Sequence, residues 1–547
     1  MRSNAGVAGL GERRSEYTQH RPAETTLYQL VAQYLETFLA EARERHERGL
    51  PAYVEKEFRA FLKCGIHAFG FLRAVCKLCG QELLVAFSCK RRGACPSCNA
   101  RRMRGTAAHL VDRVLPEVPV RQWVLSVPFE LRLLLARNPS ALSTVGRLFV
   151  ERVLRWQRDC AKRLGIRGAQ GGAISFPQRF GGSLNLNVHY HVAIPDGVFT
   201  FASQDARGTF QTLPAPDNSD LQDIASDVAI RTLTWLRRRD LLRDERDEVD
   251  CTDPRDRSAL AVCLEGSLGL GELTVLRERN KAEGDDDDAR PVASKAARRG
   301  GSDRGFDLHA GVVVSAGDRE GRERLLRYCA RPPLSLERLR LLPDGRVVYA
   351  LRKPWGKQTH RVMTPLQFLA RLVALVPPPR HPLIRFHGVF AAHARLRARV
   401  IPIARAATPA AAPCSKPDSP TSQSSSTHSI PKADPSLVVG RALSTDAADA
   451  ARAEELISAP DPGARSSLAA LQLSLGSRIP WAELLKRVYD VDALACSCGG
   501  RLRFIALILE SDVARRHLDS LGLESTPPPI TRARSPDFAD CSPPADW

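Results

Sequence analysis

Three groups of residues in this chain have the types and spacing that chemistry needs. The first is Cys76-Lys-Leu-Cys79 followed by Cys95-Pro-Ser-Cys98, with fifteen residues between the two turns. Two CxxC turns at this separation match a four-thiolate zinc ribbon. Each turn supplies two sulfurs to one tetrahedron. Cys64, His67 and Cys89 lie close by. We read them as small core residues, with membership of a second or alternative ligand set as the other reading. Arg91, Arg92, Arg101 and Arg102 surround the cysteines, and a metal-tied loop bearing arginines is a surface suited to phosphate.

The second group is His189-Tyr190-His191, inside an apolar run. Alternate residues of a strand face the same way, so both imidazoles share a face and leave most of a divalent ion's coordination open. If Gly181-Gly182-Ser183-Leu184 is a hairpin turn, residues pair where their numbers sum to about 367. That places Gln178 opposite His189 on the same face, as a third potential ligand, with His309 as its rival. Pro177 marks this strand as an edge or a bulge. The third group is Tyr328, flanked by Arg324, Arg327 and Arg331. A phenol can attack phosphorus and arginines can hold phosphate oxygens.

The elements that must position these groups follow from periodicity. Helical spacing runs from Glu24 to Leu62, with a break where Pro51 starts a second helix. The basic residues after Cys98 begin another helix. Segments 126–135 and 144–164 read as helices, 173–180 and 184–195 as strands, and 306–316 as a strand. A helix at 318–331 is stopped by Pro332-Pro333. A hairpin with an Asp344-Gly345 turn and a helix at 364–376 follow. The expected class is α+β.

The expected divisions are a disordered N-terminus (1–22), a helical, zinc-binding DNA-binding domain (23–115), a catalytic domain (116–400), a disordered linker (401–440), a small C-terminal unit (441–525) and a tail (526–547). Within the catalytic domain, 279–305 holds Asp285–Asp288 among several Gly, Ser, Arg and Lys and reads as a solvated insertion loop; the four consecutive carboxylates share no single face, which argues against a metal site there. Cys496-Ser-Cys498 reads as a turn, since two thiols at that spacing make a poor zinc site alone, with metal binding as the other reading.

The chain has 547 residues and 14 cysteines, six of them between Cys64 and Cys98. Clustered cysteines without a secretory signal read as metal ligands before disulfides. No apolar run approaches a membrane span, so a membrane or secreted protein is not expected. Lys+Arg exceeds Asp+Glu by 19 charges, which points to a polyanionic partner such as nucleic acid.

Five segments in this order carry a family resemblance: FSCKRRGACPSCNARRM, QRFGGSLNLNVHYHVAIPDGVF, FDLHAGV, LLRYCARPP and LIRFHGV, across residues 60–400. Together they resemble the HUH tyrosine transposases of rolling-circle insertion sequences, the IS91 family, with its N-terminal zinc-binding domain. The resemblance implies an endonuclease that nicks and rejoins single-stranded DNA at transposon ends and targets through a covalent 5′-phosphotyrosine. It implies a small antiparallel sheet with helices on one side. Tyr328 becomes the nucleophile, and His189 and His191 hold a catalytic magnesium or manganese ion beside the structural zinc.

Two positions depart from the family. Gln178 stands where members have a third histidine, and an amide oxygen suits a hard ion. Pro332 stands where many have a second tyrosine, which points to the single-tyrosine subgroup. A replication initiator with the same chemistry, or a catalytically decayed DNA-binding relic, are the alternatives. The expected compartment is the bacterial cytoplasm, at the DNA.

Overall fold

The histidine strand lies in the middle of the largest sheet. In the computed structural model, which describes residues 21–203, 205–242, 258–268, 300–355, 358–402, 486 and 492–534, this sheet has six antiparallel strands. They are β3 (Val120–Ser126), β4 (Gly172–Phe180), β5 (Leu186–Pro195), β8 (Gly300–Asp303), β9 (Phe306–Val314) and β13 (Arg385–Gly388). Their order is β13-β4-β5-β3-β9-β8. Every residue of β5 is buried, so both sheet faces must be covered.

Strand alternation divides the work. Val188, Tyr190, Val192 and Ile194 pack into a core with α4 (Phe129–Arg137), α5 (Pro139–Arg163) and α6 (Asn218–Arg238). On the opposite face, Ala193 joins Ile174 and Phe176 beneath α3 (Pro96–Arg113) and α8 (Arg319–Cys329), a core that includes Leu110, Leu325 and Leu326. Helices therefore lie on both faces, where the resemblance implied one. Gly146 of α5 admits the Tyr190 ring, since a Cβ there would stand 2.8 Å from Tyr190 Cε1. The phenol of Tyr190 then donates to the Leu142 carbonyl at 2.7 Å.

A further difference concerns a segment read as a loop. Residues 300–303 of the supposed insertion form β8, hairpinned to β9 through Arg304 and Gly305, both at positive φ. Gly301 must be small because a Cβ there would lie 2.4 Å from the Gln222 backbone nitrogen in α6. Asp285–Asp288 lie outside the described residues, as do residues 403–440 of the segment expected to be a linker.

A second core joins α1 (Thr26–Arg45) and α2 (Ala52–Lys63) to later elements. These are the hairpin β10 (Leu339–Leu341) and β11 (Val347–Trp355), its partner β12 (Gln358–Met363), and helix α9 (Pro365–Leu375). Residues 339–375 thus bury their apolar side chains with the N-terminal helices, so the boundary expected at 115/116 does not separate two independent cores. The hairpin turns at Gly345, whose φ of +81° suits the Asp-Gly signal.

The third sheet has the order β14-β1-β2, with β1 at Phe71–Cys76, β2 at Glu82–Ala86 and β14 at Leu502–Ile508. β14 pairs with β1 from Phe71↔Ile508 to Cys76↔Leu502. The helix α10 (Ser511–Ser520) buries Ala514 and Leu518 against Phe71. The described C-terminal residues therefore do not form a separate unit, as expected for 441–525, but complete the sheet of the N-terminal module. Residues beyond them run back along α1, where the Thr531 N–H donates to the Ala32 carbonyl at 3.0 Å.

Candidate active site and metal centres

The hairpin register is the one the 367 sum predicts. Gln178 pairs with His189 and Phe176 with His191, and the ladder shifts between Gln178 and Phe180. Pro177 is tolerated because β13 pairs with β4 only over residues 172–175. The two imidazoles stand 4.9 Å apart between ring centroids. Each candidate ligand has its other polar atom anchored. His189 Nδ1 lies 3.2 Å from the Asn187 carbonyl. Gln178 Nε2 donates to the Cys329 carbonyl at 2.7 Å, at the end of α8. His191 Nδ1 lies 2.9 Å from Gln122 Nε2.

Among the described residues, Gln178 Oε1, His191 Nε2 and Gln122 Oε1 are buried without a hydrogen-bond partner. Buried polar atoms in that state call for a ligand. A half-turn of the Gln122 amide lets its oxygen accept from Nδ1–H of His191, which leaves Nε2 as a lone pair. Burial, with help from His189 and Arg331, holds the His191 imidazole well below the usual histidine range. The donor set, two imidazoles and an amide oxygen, fits a divalent ion. His309 shares this face, opposite Val124, but lies beyond β3 from the pair. Among the described residues, it does not join them in any close cluster of metal-ligating side chains.

Tyr328 projects from the last turn of α8 onto the pair. Its ring lies 5.4 Å from that of His191, nearly perpendicular to it. The helix starts on Asp318, which accepts from the Gly321 N–H at 2.7 Å. It is pressed onto the sheet by Leu325, Leu326 and Cys329, and this stripe sets the direction of Tyr328. Two guanidiniums flank the phenol ring, Arg331 at 4.9 Å and Arg352 at 5.7 Å from its centroid.

The cysteines separate into two quartets. Cys64, Cys89, Cys95 and Cys98 form one, and Cys76, Cys79, Cys496 and Cys498 the other, with the sulfurs of each within 4.8 Å of one another. The expected set Cys76, Cys79, Cys95 and Cys98 is therefore split. The reason is the β1–β2 hairpin: at about 3.3 Å per residue, six residues of β1 carry Cys76 and Cys79 roughly 20 Å from the hairpin base. At the base, Cys64 and Cys89 meet the start of α3. There Cys64 Sγ is 3.7 Å from Cys98 Sγ and 3.6 Å from Cys95 Sγ, and Cys89 Sγ is 3.5 Å from Cys98 Sγ. A zinc tetrahedron with Zn–S near 2.3 Å has S···S edges of about 3.8 Å, so this donor set fits zinc. His67 stays outside the quartet, 3.3 Å from the Leu84 carbonyl.

Two families match the chain. The family described as "Transposase zinc-binding domain", of the IS91 type, covers residues 30–127, and the one described as "Putative transposase" covers residues 172–397. The chain is an IS91-family transposase. No curated protein and no solved structure matches it. It is a DNA-processing enzyme whose partner is DNA, and its N-terminal domain carries structural zinc. No helix among the described residues is long and apolar enough to cross a membrane.

The expected DNA-contacting arginines of the transposase divide by position. Arg91, Arg101 and Arg324 are exposed, although Arg324 stands 3.7 Å from Asp318 and 3.8 Å from Glu320. Arg92 turns inward to the His381 and Pro378 carbonyls at 2.6 and 3.0 Å. Arg102 ties Asn99 to the Lys90 and Arg91 carbonyls and places its charge beside Cys98. Both hold the zinc loop in shape. Arg327 is half-buried beside Arg104, and Arg331 also covers Phe180.

Sequence reasoning favoured a core role over a ligand role for Cys64 and Cys89, and a turn over a metal site for Cys496 and Cys498. Six cysteines in a block that needs four, and the Gly-Gly after Cys498, were the available signals. Gln122 and Arg352 carry no local signal.

Proposed function

We propose that the transposase nicks and rejoins single-stranded DNA at insertion-sequence ends by rolling-circle chemistry, through a 5′-phosphotyrosine on Tyr328. The observation that carries this reading is the convergence of a phenol, two imidazoles and an amide oxygen under one helix end, with the Tyr328 ring 5.4 Å from that of His191. The Tyr328 oxygen attacks the scissile phosphorus and the bond to the upstream 3′-oxygen breaks. The phenol proton is released, and the departing strand takes up a proton to end in a 3′-hydroxyl. Rejoining is the reverse attack by a 3′-hydroxyl.

A phenol has a pKa of about 10, so attack near neutral pH needs positive charge nearby, which Arg331 and Arg352 supply. Both guanidiniums can also hold non-bridging phosphate oxygens. His189, His191 and Gln178 would hold magnesium or manganese, which supplies Lewis-acid polarisation of the phosphate when bound. Position 332, four residues on, is proline, so this is the single-tyrosine arrangement and one phenol must serve both cleavage and rejoining.

The test is covalent capture on single-stranded DNA carrying an element end and labelled at its 3′ terminus. Wild-type protein should carry the label into the protein band of a denaturing gel. Tyr328→Phe, which removes only the oxygen, should bind DNA with nearly unchanged affinity and carry none. Adducts that persist in this variant and map to Tyr349 or Tyr190 would overturn the assignment. Binding without any wild-type adduct would mark a decayed relic.

A further inference from the structure

Cys79 and Cys496 are 417 positions apart in the chain, yet their sulfurs lie 3.5 Å apart, and Cys76 Sγ lies 3.6 Å from Cys498 Sγ. A disulfide needs about 2.05 Å, whereas the edge of a zinc–thiolate tetrahedron is about 3.8 Å. We propose that Cys76, Cys79, Cys496 and Cys498 bind a second zinc ion, and that this ion fastens segment 492–534 onto the N-terminal module.

The two half-sites are built alike despite their different spacing. The Gly80 N–H donates to the Cys76 carbonyl and the Cys76 N–H to the Gln81 carbonyl, both at 2.9 Å. Across the site, the Gly499 N–H donates to the Cys496 carbonyl at 3.0 Å and the Cys496 N–H to the Gly500 carbonyl at 2.9 Å. Gly80 and Gly499 both turn the chain at positive φ, +73° and +83°. Gly500 is required by closeness, because a Cβ there would stand 2.8 Å from Cys76 Sγ. Two thiols in a CxC turn are a poor site alone, but here a complete CxxC turn faces them.

Zinc also answers what holds this segment in place. β14 continues from the turn into its pairing with β1, yet it contributes little burial: Phe504 is 59% and Leu507 55% exposed. α10 adds only Ala514 and Leu518 to the core beneath it. Apolar burial of that extent is a weak tie, whereas structural zinc on four thiolates is a strong one that can decide whether a small module folds. The ion is then the main fastening, and the strand pairing sets its register.

The experiment uses the full chain. Elemental analysis should find two zinc ions per wild-type chain and one in Cys496→Ser/Cys498→Ser. Hydrogen exchange in that variant should show the β14 amides unprotected while those of β4 and β5 keep their protection. Cys79 and Cys498 are exposed, so in wild-type protein they should resist alkylation until a chelator is added. One zinc in the wild type, two in the double variant, prompt alkylation of Cys79 and Cys498, or a mapped Cys76–Cys498 disulfide would each overturn the site. Protection of β14 that survives loss of the ion would overturn the fastening. Tyr328→Phe should leave the count at two, so the outcome stands apart from the nicking chemistry.

Discussion

At the scale of single residues, the site depends on which atom of each side chain is committed elsewhere. Gln178 donates its nitrogen to the end of the tyrosine helix, and its oxygen is buried with no hydrogen-bond partner. Gln178→Ala should weaken magnesium affinity and slow nicking without abolishing DNA binding. Gln178→His should restore or tighten the ion and shift preference toward manganese, since imidazole is the softer ligand. Gln122→Ala should cost roughly 10–100-fold in ion affinity, the usual effect of losing an outer partner of a ligating histidine. His309→Ala should leave affinity unchanged. Manganese binding followed by electron paramagnetic resonance, beside a metal titration of nicking, checks all four. Normal ion affinity in Gln178→Ala with a loss in His309→Ala would exchange their roles.

At the scale of elements, β13 guards the edge of the site strand. Its His387 sits with Nε2 at 2.8 Å from Ser175 Oγ of β4. Burial, then the neighbouring Arg385, lowers its pKa to about 4, while Glu151 opposes the shift. An unfolded histidine titrates near 6.5. Because the folded value is depressed, the unfolded chain binds the proton more tightly. The stability this group contributes is complete above pH ~6.5 and is lost as the pH falls toward about 4. The full loss is on the order of 3 kcal/mol. Urea melts across this window should show a steeper decline for the wild type than for His387→Asn. Equal slopes would mean that the histidine titrates freely in the folded protein.

At the scale of the whole molecule, the excess of 19 positive charges governs encounter with DNA. A footprint neutralising about six to ten phosphates would lose roughly three to five decades of affinity between ~50 and ~200 mM salt on duplex DNA, with a shallower slope on single strands. Arg91 and Arg101 are free to take part, while Arg92 and Arg102 are held by backbone carbonyls. Replacing the first pair with alanine should flatten the salt slope more than it unfolds the protein. Replacing the second should lower stability first. Fluorescence anisotropy over a salt series, with a thermal melt of each variant, separates the two.

What the amino-acid sequence by itself determined is what is local. Helix breaks at Pro51 and Pro332, the Asp344-Gly345 turn and the alternation of β5 are dictated by steric limits within a few residues. The Gln178↔His189 pairing was legible for the same reason, because a short turn leaves little freedom of register. What only the tertiary structure decided is which half-site meets which. A CxxC turn specifies two ligands of four, and its nearest neighbour in sequence is not its neighbour in space once a hairpin intervenes. Cys76 and Cys79 were carried to the tip, where a strand from the far end of the chain brings Cys496 and Cys498. Arg352 and Gln122 likewise reach the site only because non-local strand pairing and packing bring them there. Contacts of that kind depend on the closure of the whole fold, and no short stretch of residues encodes them.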